Sequence, residues 1–275
     1  MIDSKVLPIW QPIGMSTHLI SQRVGEFYDA KTAHTGTLDP MAEGVIIVLL
    51  GEERLKKKEY AKWKKGYEFE IALGISTDAY EIMGLITDVN LSPNYLQDIG
   101  KESFKKITDS FIGTYTQKIP PYSTKKIKGK HLHQITRSNK KVTLPTKKGE
   151  IYKFDYLTSE TLAIESVIKD ISEKILLVTG DFRQKEIIDN WNKTLKGKEN
   201  EAVKILKLYV ELSKGLYVRS LTVDFCRKIS ATGFTHSIKR VKNGKYTKQN
   251  SQTLEEIFGS DYRKEIDFVS RPNLG

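Results

Sequence analysis

His34-Thr35-Gly36-Thr37-Leu38-Asp39-Pro40-Met41-Ala42-Glu43-Gly44, followed by Val45-Ile46-Ile47-Val48-Leu49-Leu50-Gly51, sets how the rest of the chain is read. The second half is a continuous apolar run between glycines, the pattern of a strand buried on both faces. The first half is a glycine-flanked loop feeding that strand. Proline after Asp39 pushes the aspartate's backbone away from helix. Its carboxylate therefore rides on a loop that a rigid strand supports, a good position for a catalytic group. Asp-Pro is also a frequent turn starter. On residue chemistry alone the turn is the commoner use, and both readings stand.

Outward from this point, helices and strands mix. Thr17 to Tyr28 reads as a helix that Ser16 can cap, with Ile20, Val24 and Phe27 on one face. Tyr67, Phe69, Ile71 and Leu73 alternate with Glu68 and Glu70, a strand with one apolar face. Phe104, Ile107 and Phe111 form a second helical stripe. Tyr152, Phe154 and Tyr156 alternate with Lys153 and Asp155, and Leu162 to Ile168 and Ile175 to Val178 read as further strands. Arg183 to Leu195 reads as a helix. Leu206, Leu208, Val210 and Leu212 line a strand, with a helix expected after Arg219. Thr253 with Glu256 makes a capping box. Without regular βαβ alternation, this order points to an α+β fold with a mixed, largely antiparallel sheet flanked by helices and loops.

The 275 residues carry a formal net charge of +11. Between Lys118 and Lys148 stand ten Lys or Arg and no Asp or Glu, so this segment holds nearly all of the excess. Such a block suits a polyanionic partner, and it equally suits a solvated basic loop. Residues 120 to 146 also lack periodicity, and long irregular segments in compact domains are usually functional or disordered. The single cysteine, Cys226, excludes a disulfide framework and a cysteine metal site and suits a reducing, cytoplasmic setting. The N-terminus has no signal-peptide pattern, and the longest apolar run is too short to span a membrane.

Phosphate-cradling glycine loops, dinucleotide fingerprints and Gly-x-Ser-x-Gly are absent from the sequence. Of five histidines, only His131 and His133 are close in sequence, with no carboxylate near them. No metal and no cofactor are expected. The chemistry is left to a carboxylate, a hydroxyl or an Arg/Lys pair.

The segment AHTGTLDPMAEGVIIVLLGEE closely resembles the catalytic motif of the TruB family, the tRNA pseudouridine-55 synthases. Further blocks follow in the family's order. Trp10-Gln11-Pro12-Ile13-Gly14-Met15-Ser16-Thr17 resembles its N-terminal block, with Gln11 where a lysine is usual. Tyr67 to Asp78 resembles the Y-x-x-x-x-x-L-G-x-x-T-D block. Pro120 to Gly129 and Ser213 to Leu221 resemble two more, and Ile238-Lys239-Arg240 closes the series. The resemblance spans roughly residues 5 to 258.

It implies a pseudouridine synthase fold over 1–258, with a basic thumb loop at about 120–148 that closes on RNA. A short tail, 259–275, stands where bacterial members commonly carry a small RNA-binding domain. It implies that Asp39 is the catalytic carboxylate, that Tyr67 stacks on the target base and that Arg219 pairs with the carboxylate. His34 helps splay the T-loop bases, Tyr217 and Ile238 line the uridine pocket, and Lys126 binds substrate with the other lysines of the loop. The family lysine after L-G-E has Arg54 or Lys56 as its counterpart. The expected partner is the T-stem-loop of tRNA, bound by a monomer with neither membrane nor small-molecule cofactor. Two other readings compete: a non-catalytic RNA-binding or RNA-folding protein on the same scaffold, and an unrelated carboxylate enzyme such as a glycoside hydrolase. The second needs another acid near Asp39, for which Glu43 is nearest in sequence.

Overall fold

A computed structural model describes residues 4–92, 94, 100–127, 129–137 and 143–267. Lys128, Lys140 and Lys141 of the basic segment, and residues 268–275 of the tail, fall outside the described residues.

The elements run β1 (Ser4–Gln11), α1 (Thr17–Phe27), β2 (Thr32–His34), β3 (Glu43–Gly51), α2 (Lys57–Tyr60) and β4 (Lys65–Leu73). Next come β5 (Ile75–Thr77), β6 (Ile86–Val89), α3 (Lys101–Asp109), β7 (Gly113–Lys118), β8 (Lys126–Ile127), β9 (Lys130–His131) and α4 (Leu132–Arg137). Then follow β10 (Thr146–Ala163), α5 (Ile164–Leu176), α6 (Gln184–Thr194), β11 (Ala202–Leu212), α7 (Val218–Lys228) and β12 (Gly233–Asn243). The chain closes with β13 (Tyr246–Thr247), β14 (Gln252–Thr253), α8 (Leu254–Phe258) and α9 (Tyr262–Asp267). Ten strands hydrogen-bond into one sheet along the path β14-β1-β3-β12-β4-β11-β10-β7, with β2 on β3 and β13 on β12. The β1/β3, β2/β3, β10/β11 and β7/β10 pairs are antiparallel, while β14 joins β1 and β12 joins β3 in parallel. The α+β expectation, with a mostly antiparallel sheet flanked by helices, holds. Among the described residues no helix is long and apolar enough to cross a membrane.

The chain forms two compact units. The first comprises Met1–Glu68, Glu173–Phe182 and Ile238–Gly275. Its core is β3, where Val45 to Leu50 all have 0% exposure, as the unbroken apolar run requires. Trp10, Val45, Ile47 and Leu49 pack together, flanked by Val6, Tyr60, Trp63 and Tyr246. Ile20 and Val24 of α1 are fully buried, whereas Phe27 is 56% exposed. Ser16 occupies the N-cap of α1 but makes no side-chain cap bond, contrary to its expected role. The Thr253/Glu256 capping box is present, with both reciprocal bonds formed.

The second unit comprises Phe69–Ser172 and Arg183–Ser237. Phe69, Phe104, Phe111, Phe154 and Phe225 make an aromatic core, with Tyr156 stacked on Phe104 at 4.2 Å. Two sequence expectations fail along α5, which starts in the second unit and ends in the first. The stretch Leu162 to Ile168 is not a strand: β10 ends at Ala163 and α5 begins at Ile164. Ile175 to Val178 is the end of α5 and the turn after it. Ile164, Val167, Ile171 and Ile175 are all at most 1% exposed, so a helical stripe of β-branched residues imitates strand composition. In β10, register shifts lie between Ile151 and Lys153 and between Tyr156 and Thr158. These break the simple alternation: Ile151 and Phe154 are buried while Tyr152 is 41% exposed.

Candidate active site

In the first unit, Asp39 is half-buried on the loop between β2 and β3. Buried polar groups hold that loop by its main chain. The Leu38 N–H donates to Thr17 Oγ1 at 3.0 Å. The Thr17 hydroxyl donates to Gln11 Oε1 at 2.6 Å, and Gln11 Nε2 donates to the Met15 carbonyl at 2.9 Å. Gln11 and Thr17 both have 0% exposure, so this relay is shielded from water. On the other side of Asp39, the Gly14 N–H donates to the Pro40 carbonyl at 2.8 Å. A side chain at Gly14 would put its first carbon 2.0 Å from the Leu177 carbonyl oxygen, so only glycine allows this approach. The Ala42 N–H closes a turn on the Asp39 carbonyl at 2.9 Å. At the loop's ends, Arg240 of β12 donates to the Gly36 and Val45 carbonyls, and Lys239 pairs with Glu43 at 2.9 Å.

His34, at the end of β2, meets His18 edge to face with ring centroids 6.4 Å apart. Burial, then the charges of Lys57, His18 and Arg240, push its imidazole down to about 4. It is therefore neutral at physiological pH, an aromatic ring rather than a cation. Its Nδ1 is buried with no hydrogen-bond partner among the described residues. Tyr67 is half-buried on β4. Lys65, two residues earlier, is buried with Nζ on the Ala61 and Trp63 carbonyls. Ile238 is 5% exposed on β12. Arg54 donates to the Gly51 carbonyl at 2.8 Å and pairs with Glu52, while Lys56 pairs with Glu53. Both are thus turned to their own neighbours, and Lys57 is the cation of this stretch whose charge reaches His34.

In the second unit, Arg219 lies in the first turn of α7 and is 2% exposed. Its guanidinium donates to the Ala79 carbonyl at 3.3 Å and the Tyr122 carbonyl at 3.1 Å. Tyr217, at the N-cap of α7, is gripped through its main chain. Its N–H donates to Gln117 Oε1 at 2.6 Å, and its carbonyl accepts from Gln117 Nε2 at 3.2 Å. The root of the basic segment is latched at Tyr122, whose hydroxyl donates to Asp78 Oδ2 at 2.9 Å. Arg183 approaches the same oxygen at 3.4 Å and lies over the Tyr122 ring, 4.7 Å from its centroid. Burial, then the Asp78 charge and hydrogen bond, push the Tyr122 phenol up to about 12. Lys126 is exposed on the β8–β9 hairpin.

Within the first unit the structure gathers Asp39 and His34 around one loop, with Ile238 two residues before the Arg240 that ties it. Within the second it gathers Arg219 and Tyr122. Sequence reasoning gave no role to Gln11, Thr17, Arg240, Gln117, Asp78 or Arg183. Gln11, Thr17, Arg240 and Asp78 lie inside the resembling blocks, so their position was a signal. Gln117 and Arg183 carry none, because a clamp on a distant main-chain group follows no local spacing.

The family model described as TruB family pseudouridylate synthase, N-terminal domain, matches residues 25–172, just over half of the chain. The tRNA pseudouridine synthase B of Aquifex aeolicus is 27% identical over 260 residues, covering 94% of this chain and 75% of its own. The protein of that name from Clostridioides difficile is 30% identical over 261 residues, covering 92% and 70%. Among solved structures, a chain from a Cbf5-Nop10-Gar1 complex aligns with a TM-score of 0.57 at 15% identity, over 96% of this chain and 56% of that one. A chain from an H/ACA RNP bound to a substrate RNA containing 2'-deoxyuridine aligns at 0.54 and 14% identity, over 98% and 56%. This chain therefore spans just over half the length of those solved chains, and at such identity the likeness concerns the fold. With the sequence blocks, the family match and the curated relatives in agreement, the chain belongs to the TruB family of pseudouridylate synthases.

Proposed function

We propose that this protein is a tRNA pseudouridine synthase that isomerises uridine 55 in the T-loop, with Asp39 as the catalytic carboxylate. The observation that carries the reading is the tethering of the Asp39 loop from both sides by buried main-chain hydrogen bonds. A turn aspartate needs no such scaffold; a group that must meet a ribose carbon within a fraction of an ångström does.

The reaction breaks the N1 glycosidic bond, turns the base and rejoins it through C5, without redox chemistry or phosphate transfer. The base must first leave its stack, at a cost of a few kcal/mol. Stacking on Tyr67 offsets part of this, at about 1–3 kcal/mol per base. His34, neutral and with a buried Nδ1 that has no partner among the described residues, is proposed to fill the gap left by a flipped base and to offer it a hydrogen bond. Arg219 is the proposed charge partner of the carboxylate. Tyr217 and Ile238 are proposed to line the uridine pocket. The lysines of the basic segment, Lys126 among them, bind phosphate and fix position, while the folded shape of the T-loop supplies recognition.

The test is tritium release from a T-stem-loop RNA labelled at uridine C5, with wild type and Asp39→Asn side by side. Wild-type release and its loss in the variant are expected. RNA binding by wild type without release would favour the binding-only reading instead.

A further inference from the structure

We infer that Arg240 is a positioning residue for the reaction, fastening both ends of the loop that presents Asp39, with Lys239 as its outer support. This rests on the proposed role of Asp39 and concerns how that carboxylate is held. Arg240 is 1% exposed and among the largest fully buried side chains. Its Nε donates to the Val45 carbonyl at 2.7 Å, just after the loop, and its Nη2 to the Gly36 carbonyl at 3.2 Å, just before Asp39. One planar group thus spans the entry and the exit of the loop, a fork that no other side chain supplies.

Other contacts reinforce this arrangement. Arg240 pairs with Gly44 in the parallel β3/β12 ladder, and Lys239 pairs with Glu43. Gly44 adopts φ +131°, and a side chain there would come within 2.4 Å of the Arg240 carbonyl oxygen. Backbone and side chain of one residue therefore grip the same loop from two directions. Among the described residues the guanidinium bonds to carbonyls and not to a carboxylate. A buried cation is costly to keep for packing alone, since an apolar side chain fills the same space with less desolvation. Its charge also reaches the imidazole of His34. Lys65 brings a second buried cation to the same place: the first carbon of a side chain at Gly36 would lie 3.6 Å from Lys65 Cε and 3.9 Å from Arg240 Nη1.

The experiment is single-turnover tritium release from the labelled T-stem-loop by wild type, Arg240→Lys and Lys239→Gln, with RNA affinity measured on the same preparations. Lysine keeps the charge but cannot bridge two carbonyls on opposite sides of a fork. Arg240→Lys is expected to keep RNA affinity within about threefold while its rate falls on the order of 100-fold, the scale of a misplacement near 1 Å. Lys239→Gln alters a half-exposed side chain and is expected to fold; its rate should fall a few-fold at unchanged affinity. A folded Arg240→Lys with the wild-type rate overturns the inference. If Arg240→Lys does not fold, Lys239→Gln decides: an undiminished rate overturns the inference, and a lower rate at constant affinity supports it. No release by wild type overturns the functional reading itself, and the inference with it.

Discussion

The Asp39 loop and the root of the basic segment are held in opposite ways. Around Asp39 itself the loop is fixed by neutral amides, hydroxyls and carbonyls at sites of almost no exposure, with Arg240 donating to carbonyls rather than to an acid, and the partly exposed Lys239–Glu43 pair lies only at its far end. The root is fixed by charge: Asp78, Arg183 and the Tyr122 ring, with the Asp78 and Arg183 side chains still 24% and 18% exposed. Buried neutral bonds are indifferent to salt and to moderate changes of pH, whereas partly exposed ionic contacts are screened. Chemistry demands the first kind of hold. Gripping and releasing a polyanion calls for the second, because a phosphate can compete for the same cations.

The hardest test of this contrast is the relay beneath Asp39. Thr17→Val keeps the shape but leaves the Leu38 N–H and Gln11 Oε1 without their buried partner, at a cost of about 1–3 kcal/mol. The expected outcome is a lower melting temperature and a rate reduced on the order of 100-fold, equal at low and high salt. Gln11→Lys sharpens it. An ammonium cannot accept from the Thr17 hydroxyl, so the relay must turn round, and a charge is placed at a site of 0% exposure; a lower melting temperature and a slower rate than wild type are expected.

That relay also marks how far the sequence could be read. The run Val45 to Leu50, the capping box at Thr253 and the helix after Arg219 were legible because each is a local pattern with one physical meaning. Asp39, His34 and Tyr67 were singled out through the resembling blocks, and the roles proposed for them rest on that resemblance. The helix Ile164–Leu176 was not, because isoleucine and valine at helical spacing carry strand propensity. Nor was the N-terminal strand Ser4–Gln11, whose short apolar run is interrupted by Pro8. The tethers of the loop escaped for a different reason. Gln11 and Arg240 act on carbonyls and hydroxyls brought to them by folding, and a main-chain acceptor leaves no trace in residue identity.

A smaller effect is expected in the basic segment. Replacing Lys125, Lys126 and Lys130 by glutamine should weaken RNA binding about tenfold at low salt. It should also lower the slope of log K against log salt by about 0.7 for each phosphate that is no longer neutralised. The rate at saturating RNA should not change. A fall in that rate with unchanged affinity would break the division between grip and chemistry. At the root, Tyr122→Phe removes one charge-assisted bond to Asp78 and should cost about 1 kcal/mol, less at high salt, measured by thermal melting.

The smallest expected effect is on pH. If His34 acts as a neutral ring, the rate should show no step with a midpoint near its ordinary value, and His34→Asn should lower the rate without changing the profile between pH 5 and 8. Stability behaves differently, and the sign follows from linkage. With its folded value held down to about 4, the imidazole takes up its proton in the unfolded chain first. The native state therefore loses stability as pH falls from about 6.5 towards 4, by about 1 kcal/mol at pH 5.5, and none above pH 7. His34→Asn should remove that acid sensitivity in denaturant melts at pH 5.5 and 7.5. A rate profile that steps near pH 6.5 and loses the step in His34→Asn would mean that the ring gains and loses charge during turnover. The hold beside Asp39 would then depend on charge, like that at Tyr122, and the contrast between the two regions would fail at a residue of the proposed site.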